Sequence, residues 1–205
     1  MEFRNADPSV VKSIKQRVLL NAWLRALRQP NALPSVDDFE TDGSFDELPD
    51  MMAFNVEGIG EDARFFITQE GARLTATYGS EHIEPAKRTN RYLDDAIGPE
   101  RYTVVVPCYR ACITSKRPTY SISTVQDLDG KDVWYERLLL PFGSGTNVER
   151  IIGSYKAISI EGGFKIRNLM GVRPKAIPVF VTRAVIDREF APPNRRSSDD
   201  SVELG

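Results

Sequence analysis

Three strand-like runs separated by two glycine turns constrain this chain more than any other feature. The runs cover residues 119–125, 133–142 and 148–160. The first turn is built on Asp129-Gly130, because Asp and Gly accept the positive φ angles that a two-residue hairpin loop requires. The second carries Gly143-Ser144-Gly145, which again supplies permissive backbone. Runs joined this tightly pair with their neighbours, so the spacing predicts an antiparallel meander. What packs over its covered face then decides what the protein does.

Ahead of the meander the pattern is mixed. Asp7-Pro8-Ser9 offers a cap and a first-turn proline, and Pro30 is a stop, which frames a helix between them. Val11, Ile14, Val18, Leu20, Trp23, Leu24 and Leu27 recur at helical spacing and make one apolar stripe. That stripe suits either a cover for its own domain or a dimer seam. Residues 31–49 form a loop-rich connector. Residues 51–56 and 63–68 read as two short strands around a loop with Gly58 and Gly60. That Gly-x-Gly lacks the third glycine and the following helix of a dinucleotide site. Residues 71–98 hold short helical pieces, one capped by Thr89-Asn90. Pro99 and Glu100 open a longer helix that aligns Tyr102, Val105, Val106, Tyr109, Cys112 and Ile113 on one face, with a kink or restart expected at Pro107. Beyond the meander, residues 176–185 suit a strand interrupted by Pro178, and 191–205 a flexible tail.

Composition narrows the class. Over 205 residues, 41% are hydrophobic and 27% charged, the profile of a globular protein with a core. Lys+Arg 27 against Asp+Glu 29 leaves a net charge of -2, with no basic excess for nucleic acid. The apolar runs are too short to span a bilayer, and the polar N-terminus lacks the apolar core of a signal peptide, so no membrane insertion and a cytoplasmic location are expected. Cys108 and Cys112 are the only cysteines and His82 the only histidine. They cannot complete a four-ligand zinc set, so the cysteines read as buried thiols and no metal site is expected.

The element order, with several local motifs, resembles a PAS domain of one bacterial subfamily. Trp23-Leu24-Arg25, then Leu33-Pro34-Ser35 and Asp37, is similar to its opening pattern. Arg64-Phe65-Phe66 and Tyr78-Gly79 look like its second strand and the turn after it. Lys116-Arg117-Pro118, then Tyr135-Glu136-Arg137-Leu138-Leu139-Leu140-Pro141-Phe142, is the closest match. The likeness runs from about Val18 to about Ser159. It implies an α+β fold: a five-stranded antiparallel sheet in the order 2-1-5-4-3, with helices on one face and an N-terminal flanking helix. The corresponding division is a flanking helix (1–30), a sensory domain (31–161), a C-terminal extension (162–190) and the tail (191–205). It also implies a non-enzymatic sensory or signalling module that homodimerises, meets a signalling protein partner and takes a small-molecule ligand. The chain departs from the pattern where Ser159-Ile160-Glu161 replaces the Asp-Ile-Thr run that often closes the last strand. None of its motifs resembles a kinase, a cyclase or a helix-turn-helix, so such a module would act by binding a partner.

Candidate ligand contacts come from the face that the sheet shows to its helices. On the middle meander strand Val133, Tyr135, Arg137 and Leu139 share one face and Trp134, Glu136, Leu138 and Leu140 the other, and neither set is purely apolar, so alternation does not choose the inward one. Placing Tyr135 and Arg137 inward leaves Glu136 in water, where it needs no partner. Arg137 is then a cation suited to a carboxylate or phosphate ligand, or to a carboxylate of the protein itself. Tyr120 and Ile122 on the preceding strand, with Tyr109 and Cys112 from the helix, complete the expected lining. No particular cofactor is indicated. His82 lies in a loop-like stretch unsuited to haem, and the Asn-Cys-Arg-Phe-Leu-Gln pattern of flavin-reactive light sensors is absent. Two alternatives stand beside this one. The first is a solid-core interaction module. The second is a small α+β enzyme using Tyr135 and Arg137 with Asp94 or Asp95.

Overall fold

A computed structural model describes residues 2–28, 32–39, 49–71, 91–126, 130–159 and 176–187. Eight strands form one sheet: β1 (Arg4–Ala6), β2 (Met51–Glu57), β3 (Arg64–Glu70), β4 (Arg91–Tyr92), β5 (Thr119–Gln126), β6 (Asp132–Phe142), β7 (Arg150–Ser159) and β8 (Val179–Ile186). Among the described residues three α-helices accompany them: α1 (Ile14–Ala26), α2 (Leu93–Ile97) and α3 (Pro99–Ser115). The strand order is β1-β8-β5-β6-β7-β2-β3-β4. All pairs are antiparallel except β1 with β8, which is parallel.

The meander is formed by β5, β6 and β7, with Tyr135 opposite Ser123 and Ala157. Gly130, between β5 and β6, has φ 79°, the left-handed conformation its turn requires. The five-stranded, wholly antiparallel sheet expected above is corrected. The sheet has eight strands, it is mixed, and it points to a fold other than the PAS type. The additions lie at its margins: β8 pairs with β5, β1 with β8, and β4 with β3. A sheet this wide, flanked on both faces, hides both faces of β6, and every residue from Tyr135 to Phe142 is buried.

Helices pack on both faces, not on one. α2 and α3 lie over the face that carries Phe54, Phe65, Tyr135, Leu139 and Tyr155. α3 runs without interruption through Pro107, where a kink or restart was expected. α1 lies over the other face, where Leu19, Leu20 and Trp23 meet Tyr120, Leu138, Leu140 and Phe142. Burying each of those three helix side chains contributes about 1.5–3 kcal/mol. The Asp7-Pro8 signal caps a short 3-10 turn, Pro8–Val10, while Ser13 caps α1 through the Gln16 N–H. Polar ties fix α1 to the sheet. Trp23 Nε1 donates to the Pro141 carbonyl at 2.7 Å, and Gln16 Nε2 to the Ser154 carbonyl at 3.0 Å. The apolar stripe is thus largely spent within the chain, leaving Ile14 and Val18 exposed. No helix among the described residues is long and apolar enough to cross a membrane.

Glu136 is the second correction. It is 1% exposed, lying under α1 and not in water. Burial raises its pKa, and the Tyr120 hydroxyl, the Ser13 amide, Lys12 and Lys156 only partly oppose that. Its Oε2 has no hydrogen-bond partner among the described residues. A carboxyl whose folded pKa is raised stabilises the fold fully below its unfolded value, and that contribution is lost as pH rises through the folded value. Glu136→Gln is therefore expected to raise the melting temperature at about pH 8 by roughly 2–4 °C, with the gain gone near pH 4. Thermal melts of the two proteins across that interval check it.

Candidate functional site

The sheet face under α2 and α3 contains a cavity of about 50 Å³. Tyr109 from α3, Tyr135 and Arg137 from β6, and Tyr155 from β7 form its polar side. Met52, Leu93, Ile97, Val105, Val125 and Pro178 form its apolar side. Strand alternation explains the grouping: Tyr135, Arg137 and Leu139 share a face of β6, and Arg137 stands opposite Tyr155.

Arg137 is the centre of the site. The residue is 6% exposed, and neither Nε nor Nη1 has a hydrogen-bond partner among the described residues. Three phenol rings surround the guanidinium, with centroids 5.8 Å (Tyr109), 5.7 Å (Tyr135) and 5.8 Å (Tyr155) from Cζ. At that range the ring quadrupoles attract a cation, but they do not satisfy its N–H groups. Burial works against the charge on Arg137, while Tyr109, Cys108, Tyr155 and Tyr135 favour it and raise its pKa. The protein carboxylate weighed as its partner is not found among the described residues.

The tyrosines are themselves held tightly. Tyr109 and Tyr155 share a hydrogen bond between their hydroxyl oxygens at 2.8 Å. Tyr109 also stacks edge-on against Phe54 at 5.3 Å and tilts against Phe65 at 5.0 Å. Burial raises the pKa of both phenols, with the Arg137 charge opposing it, so both stay neutral near physiological pH. Gly153, two residues before Tyr155 on β7, makes this placement possible. A Cβ there would lie 2.6 Å from the Tyr155 hydroxyl oxygen and 2.9 Å from Cζ.

Of the six residues expected to line one cavity, Tyr109, Tyr135 and Arg137 do so. Cys112 lies in the same layer but outside the lining, its Sγ donating to the Leu139 carbonyl at 3.8 Å. Burial drives its thiol pKa well up, which leaves it unreactive. Tyr120 and Ile122 are on the opposite face, against α1. The pairing of Ser121 with Arg137 and Ser123 with Tyr135 puts those serines, and not Tyr120 and Ile122, on the cavity side. Asp94 is drawn away from the cavity to an ion pair with Arg64 at 3.2 Å, and Asp95 is exposed. His82, Tyr78-Gly79 and Thr89-Asn90 lie outside the described residues. Tyr155 and Gly153 were missed, although a glycine inside a strand run is itself a sign of close approach by another group.

No protein-family model, curated protein or solved structure matches this chain.

Gly153→Ala is expected to cost about 1–3 kcal/mol, because the Tyr155 ring is wedged between its neighbours and cannot swing clear. Denaturant melts measure the cost. Tyrosine fluorescence would report the loss of the Tyr109–Tyr155 contact.

Proposed function

We propose that this chain is a non-enzymatic regulatory module that takes a small ligand into the cavity under α3 and passes its occupancy to a protein partner. Arg137 carries the reading. Its guanidinium is buried with unsatisfied N–H groups at the edge of a hollow, with neutral phenols and apolar side chains around it. An unpaired buried cation costs several kcal/mol of stability, a cost that a bound anion offsets. Within that lining the guanidinium stays charged and the Tyr109 and Tyr155 phenols stay neutral. Such a set binds and orients; it does not move protons at neutral pH.

The cavity also touches several elements at once. Ile97 of α2, Val105 of α3 and Pro178 just ahead of β8 all line it, so a ligand acts on three segments at once. A ligand that prefers one arrangement of those segments shifts the population toward it. The reader is a second copy of the chain or a signalling protein. At about 50 Å³ the hollow is far below the ~300–1,000 Å³ of drug-sized pockets, which favours a very small ligand. The same figure is what favours the second reading, a solid-core interaction module.

A metabolite library screened by thermal shift separates the two. Ligand at about a hundred times its Kd adds ~2.7 kcal/mol and raises the melting temperature by roughly 5–10 °C. Val105→Phe, which fills the hollow, is expected to abolish that rise. A library that leaves the melting point unmoved would support the solid core instead.

A further inference from the structure

We infer that the ligand is a short aliphatic monocarboxylate, its carboxylate against the Arg137 guanidinium and its hydrocarbon end among the apolar side chains of the cavity. This rests on the ligand-binding reading above and specifies its chemistry. The first argument is charge. Arg137 supplies one buried positive charge with no protein counter-ion among the described residues. One negative charge neutralises it, whereas a dianion would leave a surplus negative charge in a low-dielectric site. The second guanidinium at the lining, Arg101, is only half-buried, where solvent screens its charge, and its Nε donates to the Ala176 carbonyl at 3.3 Å.

The second argument is hydrogen-bond count. In the Tyr109–Tyr155 pair one hydroxyl hydrogen is spent on the other oxygen, so one hydrogen remains to be donated. With the Arg137 N–H groups, the site therefore has several donors to offer an acceptor. A carboxylate accepts at up to four lone-pair positions and donates nothing. The third argument is size and wall chemistry. About 50 Å³ holds a handful of heavy atoms, which excludes a flavin, a haem or a nucleotide. Met52, Ile97, Val105 and Val125 offer nothing polar to a second functional group, so the far end of the ligand is hydrocarbon.

Isothermal titration of the full chain with acetate, propionate and butyrate tests this, using propionamide, succinate and inorganic phosphate as comparisons. Propionate or butyrate is expected to bind, with propionamide at least tenfold weaker. Arg137→Met is expected to lower carboxylate affinity at least tenfold while raising the melting temperature of the ligand-free protein. Tyr109→Phe combined with Tyr155→Phe, which keeps both rings and removes the hydroxyl donor, is expected to weaken binding several-fold, and it decides the matter should Arg137→Met fail to fold. Propionamide binding as well as propionate, Arg137→Met retaining full affinity, or phosphate or succinate outbinding every monocarboxylate would each overturn the assignment. Those outcomes leave the cavity a ligand site of another class. No binding by these compounds, together with a flat response across the wider metabolite library, would remove the site itself.

Discussion

The guanidinium of Arg137 occupies the middle of the central strand, beneath a helix and inside a ring of three phenols. Much else in the structure is arranged around it. Tyr109 on α3 and Tyr155 on β7 are bonded to each other across the cavity, so the helix is pinned to the sheet at the point where the charge lies. Gly153 gives up its side chain to let Tyr155 lie flat. A core built for stability alone would place an apolar residue at position 137, since an unpaired cation in a dry interior is a net cost. The cost is tolerable in a large sheet with two covered faces, and it is the kind that binding sites carry.

The opposite face holds a different solution to the same problem. Glu136, the immediate neighbour of Arg137, is buried under α1, where the Tyr120 hydroxyl, the Ser13 amide and the Lys12 and Lys156 charges oppose part of its desolvation. Nearby, Lys156 pairs with the buried Asp50 at 2.7 Å. Adjacent residues on a strand point to opposite faces, so Glu136 and Arg137 cannot neutralise one another despite their proximity in sequence. One strand therefore contributes a carboxyl to one layer and a cation to the other.

Much of this was legible. The hairpin at Gly130 and the apolar face of α3 follow from turn chemistry and periodicity, but the side of β6 that Tyr135 and Arg137 take does not. The reason offered for the inward side was mistaken, because Glu136 lies beneath a second helix and not in solvent. The error has a physical origin: with both faces covered, β6 loses the polar–apolar alternation that tells a wet face from a dry one. Two of the three strands that widen the sheet were hidden for another reason. β1 has three residues and β4 two, too few for any period to register. Tyr120 and Ile122 were misplaced because the cavity side of β5 is lined by Ser121 and Ser123, and small polar residues facing inward invert the usual pattern. Tyr155 matters through a contact with a residue 46 positions away, which no local pattern encodes.

The paired charges on β6 also act as a lock on strand alignment. Sliding β6 by a single position would turn it over. The carboxyl of Glu136 would then press into the phenol ring, and the guanidinium of Arg137 would arrive beside Lys12 and Lys156, like charge against like. An all-aliphatic strand would pass through that misalignment at far smaller cost. The two residues that weaken the interior thus penalise that misalignment, and a chain relieved of both would gain stability while losing one means of telling one pairing from the next.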